Sequence, residues 1–429
     1  MNTLTKQIRS YLPLIAFFIG GMAYAQQPSL QYFRTNDKDG LNVFETPKEN
    51  DVEFEGMKMW VGGDFAMVFQ GLSQSNDGVA AGAPEELNEL SSNFNLPAAN
   101  LNLDIQFQEG LRLHLRTYLS SQHHTETYVK GGYLQIDNLD FIKTGFLSGL
   151  MEVATLRFGM DEINYGDTHF RRSDNARSIY NPFVGNYIMD AFTTEPFAEI
   201  TIQKSGIIGV LGMTNGRLNQ VPTPGDDGRV IYGKIGYDNG RDADVRFRIT
   251  GSFYNSSKES TRDYLFNGDR AGSRFYKLLT SASVDSDFTP RFNPNFASNT
   301  SFQINPFVKV GGLEVFGIVE RSSNNTEDES GNSIGGSFTQ LSGEAIYRFG
   351  STENFYLGGR YNSVSGDKSD AAETSKLSRI DIGGGWFMTK NILTKVQYMK
   401  QTYSGDGWNG SVGQGAEFDG VMIEAVIAF

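Results

Sequence analysis

The sequence has no cysteine and only four histidines among its 429 residues. The lack of cysteine excludes disulfide frameworks, thiolate metal sites, cysteine nucleophiles and a lipid anchor on an N-terminal cysteine. So few histidines leave little material for a metal site, and we predict no metal and no cofactor. Acidic residues outnumber basic ones, 50 to 37, for a net charge of −13. This balance argues against a nucleic-acid-binding protein.

Long apolar runs are confined to the start of the chain. Lys6 and Arg9 precede an apolar core from Tyr11 to Met22, and Ala23-Tyr24-Ala25 forms an A-x-A cleavage site. We interpret residues 1–25 as a secretory signal peptide. An uncleaved anchor is the alternative, which the short core disfavours because a bilayer span needs roughly 20 residues. The mature chain has no predicted transmembrane helix, so it is either soluble beyond the inner membrane or a β-barrel.

Short runs of alternating apolar and polar residues recur from residue 57 to the end. Leu111, Leu113 and Leu115, for example, alternate with arginine or histidine. A period of two places alternate side chains on opposite faces of a strand. Charged residues fill one face in strand after strand, and aromatic residues end the apolar face. This pattern is typical of a membrane barrel with a lipid-facing band and a wet lumen, rather than of a soluble sandwich.

The alternating pattern over residues 57–429 therefore predicts an all-β fold. We expect a transmembrane antiparallel β-barrel of about 16 strands, with 18 as the alternative. A first count gives 17 runs, whereas bacterial single-chain barrels have even strand numbers. Treating residues 257–300 as one long outer loop removes the run at 275–283 and leaves 16. Residues 26–56 lack clean alternation and are predicted to be an N-terminal periplasmic or lumenal segment. The final strand carries an apolar face that ends at Phe429.

Arginines stand on two inward faces and in one loop, where they are interspersed with acidic residues. Guanidinium groups bind anions through charge and forked hydrogen bonds, so these residues are candidates for solute selection. The loop at 161–189 follows the fifth predicted strand and is a candidate constriction loop, with a position over the barrel mouth as the alternative. The predicted pore-lining residues are Arg112, His114, Arg116, Arg157, Arg171, Arg172, Arg177, Arg246 and Arg248.

The chain resembles outer-membrane porins, most closely the phosphate-selective and DcaP-like group in the form found in Bacteroidota. The resemblance rests on the signal peptide, on LQYFRTNDKDGLNVFETPK from Leu30 to Lys48, on FRRSDNARSIYNP from Phe170 to Pro182, and on the terminal Phe429. It implies a sixteen-stranded barrel that assembles as a homotrimer with an arginine-lined constriction. A terminal aromatic residue is also similar to the signal that barrel-assembly machinery reads.

We therefore predict a passive diffusion channel in the cell outer membrane for small hydrophilic solutes, with a preference for anions. Its expected partners are outer-membrane lipid and lipopolysaccharide, the barrel-assembly machinery, further copies of itself, and small hydrophilic or anionic solutes. The alternative is a non-conducting barrel that acts as a scaffold or surface-binding protein through its outer loops. A barrel hydrolase ranks last, because none of the four histidines lies in a recognisable catalytic motif, and we predict no enzymatic activity.

Overall fold

A computed structural model describes residues 27–49, 52–78, 85–95, 98–120, 126–217, 228–257, 263–267, 275–285 and 290–429. The predicted signal peptide, residues 1–25, lies outside the described residues. No helix in these described ranges is both long and apolar enough to cross a membrane. The chain in these ranges is dominated by long strands that belong to a single sheet.

Sixteen long strands form one closed antiparallel sheet. Their bounds are Lys58–Ser75 (β1), Ala98–Gln108 (β2), Leu111–Ser120 (β3), Glu126–Ile136 (β4), Ala154–Glu162 (β5), Thr194–Lys204 (β6), Ile207–Thr214 (β7), Val230–Asp238 (β8), Val245–Ser256 (β9), Asn299–Val310 (β10), Leu313–Asn324 (β11), Ser337–Phe349 (β12), Phe355–Asp367 (β13), Ser375–Thr389 (β14), Ile392–Ser404 (β15) and Glu417–Ala428 (β16). A two-residue strand, Asn93–Phe94, also pairs with β1.

The barrel closes where the first strand pairs with the last. The register runs from Asp64 opposite Ala428 to Ser75 opposite Glu417. Closure satisfies the backbone hydrogen bonds of both edge strands, as a barrel in lipid requires. The predicted count of sixteen strands is confirmed, and residues 275–285 contain no strand.

The two-residue period separates an apolar outer face from a largely polar lumen. In β9, Val245, Phe247 and Ile249 are exposed on the outside, whereas Arg246 and Arg248 are buried inside. The last strand, β16, has the same arrangement, with apolar residues outward. A closed barrel with exposed apolar side chains around its circumference is suited to lipid.

Connections differ in length between the two ends of the barrel. At one end, the short-turn rim, connections are as short as the two residues 109–110, 205–206 and 311–312. The exception there is 137–153, which contains a short helix, Ser148–Met151. The other end, the long-loop rim, carries the longer connections, including 163–193 between β5 and β6.

The lumen near the long-loop rim is apolar rather than wet. Inward-facing Phe338 and Phe418 pack against loop residues, with ring centroids 4.9 Å from Phe292 and 5.7 Å from Phe275 respectively. Val184 and other residues of the 163–193 connection join the same buried cluster. The expectation of a wet lumen therefore fits only the short-turn half of the barrel. In the long-loop half, apolar loop side chains cover the inward face of the wall.

Candidate functional site in the barrel lumen

The connection 163–193, named the lumen loop below, folds into the barrel and is buried along most of its length. Asp167 anchors its first part. The Asp167 carboxylate accepts hydrogen bonds from Lys234 Nζ at 2.8 Å, from Arg248 Nε and Nη2 at 2.9 Å each, and from Thr250 Oγ1 at 2.8 Å. Its backbone amide also donates to Asn305 Oδ1 at 2.8 Å. Charges on β8 and β9 thus hold the loop inside the barrel.

Lys395 of β15 holds the far part of the same loop. Its ammonium group donates to the carbonyl oxygens of Ser178, Asn181 and Phe183, each at 3.0 Å. The same group forms an ion pair with Glu424 on β16. An ammonium group presents three donors and no acceptor, so it suits a cluster of carbonyl oxygens.

Four of the nine predicted pore-lining residues lie in buried ion pairs rather than at an open surface. Arg171 Nη2 lies 2.8 Å from Glu344 Oε1, and Arg172 Nη2 lies 2.6 Å from Asp190 Oδ2. On the wall, the Nη2 of Arg246 lies 2.6 Å from Asp238 Oδ2, and Arg248 pairs with Asp167 as described above. Carboxylates neutralise these arginines. The pairs of Arg171 and Arg248 join loop to wall, that of Arg246 joins strand to strand, and that of Arg172 joins two parts of the loop.

The N-terminal segment, residues 27–49, also lies inside the barrel, at the short-turn rim. Gln31 contacts Gln106 on β2, and Asn42 Nδ2 donates to Glu314 Oε1 on β11 at 2.7 Å. Phe44 packs between Phe170 of the lumen loop and Phe307 of β10, with ring centroids 5.7 and 5.3 Å away. Sequence reasoning left this segment as periplasmic or lumenal, and these contacts lie in the lumen.

Glu45 is the main charged anchor of the segment. Its Oε1 lies 3.0 Å from Lys234 Nζ, and its Oε2 lies 2.7 Å from Arg248 Nη2. Burial opposes ionisation, but the attraction of Arg248 and Lys234 is stronger and lowers the pKa of Glu45 to about 2. Glu45 and Asp167 share the same two cations, so segment and loop are held by one charge cluster.

This shift predicts how docking of the segment depends on pH. A lowered carboxyl pKa stabilises the docked form above the ordinary value of 4.5, and that contribution is lost as the pH falls through about 2. We expect docking to persist at pH 5 and to weaken only in strong acid. Docking can be followed by the fluorescence emission of Trp60, whose ring centroid lies 5.2 Å from that of Phe33 in the segment. The measurement uses a variant in which the other two tryptophans are replaced by phenylalanine. A transition already complete at pH 5 would contradict the assignment.

A cavity of about 150 Å³ remains between the N-terminal segment, the lumen loop and the wall. One water needs about 10–15 Å³ of such space, so the cavity holds several waters or one small solute. We name it the arginine chamber. The other five of the nine predicted residues line it: Arg112, His114, Arg116, Arg157 and Arg177.

Each of these predicted residues has an acidic partner. Asp104 Oδ1 contacts both Arg112 and His114, the latter at 3.0 Å from Nδ1. Arg116 Nη1 lies 2.6 Å from Asp161 Oδ1. The remaining two pairs are Arg157 with Glu199 at 2.6 Å and Arg177 with Glu162.

A further cation in the chamber, Arg34, escaped sequence reasoning. It lies in the N-terminal segment, outside any alternating run. It donates to the carbonyl oxygens of Gly40 and Phe170 at 2.9 and 3.2 Å, and its Cζ lies 3.8 Å from the ring centroid of Tyr180. No carboxylate within salt-bridge distance of Arg34 occurs among the described residues. Its Nη1 is buried without a hydrogen-bond partner in that part of the chain.

Positive charge is therefore in local excess around Arg34 and Arg177. Burial, together with repulsion from Arg116 and Arg34, lowers the pKa of Arg177 to about 9. Burial also lowers the pKa of Arg34, to about 10. Nε of Arg112 and Nε of Arg116 are buried donors without an acceptor in the described ranges. An anion in the chamber would relieve the repulsion and satisfy these donors.

No protein-family model matches the sequence, and no curated protein matches it. Several solved structures share the fold. The outer membrane channel DcaP of Acinetobacter baumannii has a TM-score of 0.53 and 11% identity, over 88% of this chain and 99% of that one. The anion-selective porin from Comamonas acidovorans has a TM-score of 0.51 and 11% identity, over 87% and 100%. OmpT of Vibrio cholerae in its trimer form has a TM-score of 0.52 and 11% identity, also over 87% and 100%.

These similarities show that the chain has the closed-barrel fold of outer-membrane porins. Its apolar outer face and closed ladder of strands fit a protein of the outer membrane. At about a tenth of residues identical, the similarities establish the fold and leave the solute to be inferred from the lumen.

Proposed function

We propose that the chain is an outer-membrane porin of the phosphate-selective and DcaP-like group, in its Bacteroidota form. It is a passive channel for small hydrophilic solutes, prefers anions, assembles as a homotrimer and has no enzymatic activity. The observation that carries this proposal is the arginine chamber. Within the described residues it places guanidinium N–H groups that lack an acceptor around a cavity for several waters or one small solute, inside a membrane barrel. The similarity to an anion-selective porin and to a trimeric barrel supports it.

The nine predicted pore-lining residues have two roles in this proposal. Arg112, His114, Arg116, Arg157 and Arg177 face the solute in the chamber. The other four hold the lumen loop and the barrel wall in place through ion pairs. Selectivity depends on the local field and not on the net charge of −13, so an acidic chain is compatible with anion preference.

Reversal potentials in planar bilayers test the channel. With a salt gradient across the membrane, we expect a reversal potential displaced toward the equilibrium potential of the anion. The displacement is expected to shrink at high salt, because ions screen the chamber arginines. A displacement of opposite sign would contradict the anion preference.

A non-conducting scaffold remains the second candidate, and the lumen contents favour it. The N-terminal segment crosses one end of the barrel, and a buried apolar cluster of loop and wall side chains lies toward the other. This candidate predicts no conductance under any condition, with binding carried by the outer loops. Swelling of liposomes in sugars of graded size separates the two candidates, since only a channel admits the smallest sugars.

A further inference from the structure

We propose that the N-terminal segment, residues 27–49, is a built-in plug that closes the short-turn end of the barrel and leaves it when the channel opens. The proposal rests on the proposed channel function and names how that channel is regulated. It accounts for a chain that is built as a porin and yet has its lumen occupied by its own N-terminal residues.

The segment reaches opposite sides of the barrel. Gln31 contacts β2, and Asn42 contacts β11, which is nine strands away in one direction and seven in the other. In a ring of sixteen strands these positions face each other. The segment therefore crosses the lumen instead of lying along one wall.

Further contacts fix the segment around the rim. The backbone amide of Lys38 donates to the carbonyl oxygen of Lys390, in the turn between β14 and β15, at 2.8 Å. Lys48 Nζ lies 3.0 Å from Asp137 Oδ1, which follows β4. Arg34, Phe44 and Glu45 of the same segment line the arginine chamber. The segment therefore lies along the route between the chamber and the short-turn side.

The character of these contacts allows release without damage to the barrel. The segment has one 3₁₀ turn, Lys38–Gly40, and pairs with none of the sixteen strands. With no cysteine in the chain, no disulfide ties it to the wall. The segment is held by ion pairs, by hydrogen bonds and by the packing of Phe44, and water can replace the polar partners once these groups are exposed. Undocking therefore leaves the ladder of sixteen strands intact.

Closure can be tested by locking the plug in place. The absence of native cysteines allows a Lys38→Cys/Lys390→Cys variant to be joined by a short bifunctional methanethiosulfonate and released with dithiothreitol. We expect the crosslinked protein to lose at least about nine tenths of its conductance, because ions are barred from a plugged pore. Dithiothreitol should restore it, so each sample serves as its own control. If mass spectrometry shows the crosslink and conductance is unchanged, the plug proposal is wrong.

Weakening the plug should have the opposite effect. Glu45→Gln removes the charge that binds Lys234 and Arg248. Because the loss of charged hydrogen bonds of this kind weakens docking, we expect the open probability to rise about tenfold. Glu49→Gln is the matched control, because Glu49 is exposed in the same segment. Equal open probability in these two variants would overturn the plug. Absence of conductance from every form, Glu45→Gln included, would instead overturn the channel function on which the plug depends.

Discussion

Asp167→Asn is expected to open the lumen loop to trypsin. Asp167 is fully buried and accepts hydrogen bonds from Lys234, Arg248 and Thr250. Burial opposes its ionisation, but Arg248 and Lys234 more than offset this and lower its pKa far below the usual range. Asparagine keeps the shape and removes the charge, so Lys234 and Arg248 would share Glu45, with Asp238 at 3.5 Å as a second carboxylate for Arg248.

The size of the effect follows from the cost of breaking a buried ion pair. Loss of one partner costs about 3–5 kcal/mol, which corresponds to an increase in local opening of roughly a hundredfold to a few thousandfold. Arg171, Arg172 and Arg177 are the trypsin sites that opening would expose, and the first two are almost fully buried in the docked loop. The measurement is the rate of cleavage within the loop of the detergent-solubilised protein.

The matched control is Asp242→Asn, which makes the same chemical change in an exposed turn. We expect this variant to be cleaved no faster than the unaltered protein. If the two variants were equally resistant to trypsin, the charge cluster would not be what holds the loop in the barrel. Retained strand content, measured by circular dichroism, separates loop release from loss of the barrel.

Arg116→Gln combined with Arg177→Gln is expected to reduce anion preference more than other changes that remove two charges. A unit charge about 5 Å from a permeating ion contributes about 0.8 kcal/mol in bulk water, which is roughly fourfold in favour of an anion and roughly fourfold against a cation. Removing two such charges is therefore expected to lower the anion-to-cation permeability ratio by at least roughly tenfold at low salt. These two residues are chosen because both stay in the chamber when the N-terminal segment leaves, and because burial and repulsion from Arg116 lower the pKa of Arg177.

Reversal potentials in planar bilayers at low salt measure this change. Lys143→Gln/Lys204→Gln is the matched control, because Lys143 is exposed in the 137–153 connection, Lys204 is exposed at the end of β6, and the change in net charge is identical. The control is expected to keep the anion preference of the unaltered protein. An equal shift in both variants would show that total charge, and not the chamber, sets the selectivity.

The strand pattern could be predicted from sequence because its signal is local. A two-residue period identified the inward face of β3, with Arg112 and Arg116, and that of β9, with Arg246 and Arg248. The rule that bacterial barrels have an even number of strands led us to predict no strand at 275–283, and the structure has none there. Each of these inferences needed only neighbouring residues and one rule of barrel construction.

The pairing of charges inside the lumen could not be predicted in the same way. Arg171 meets Glu344 across a separation of 173 residues, and Asn42 meets Glu314 across 272. No periodicity links such positions, because the contacts form between irregular segments and a wall assembled from distant strands. Arg34 escaped notice for the same reason. The apolar half of the lumen was missed because inward Phe338 and Phe418 are explained only by loops that fold over them.

The N-terminal segment also has a consequence for the order of assembly. Its partners lie on β2, β8, β11 and in the turn before β15, so its binding surface is complete only after β16 pairs with β1. Residues at the start of the described chain thus reach their full set of native contacts only once strands from the whole length of the barrel are in place. The short-turn mouth is therefore completed by docking as well as by strand pairing.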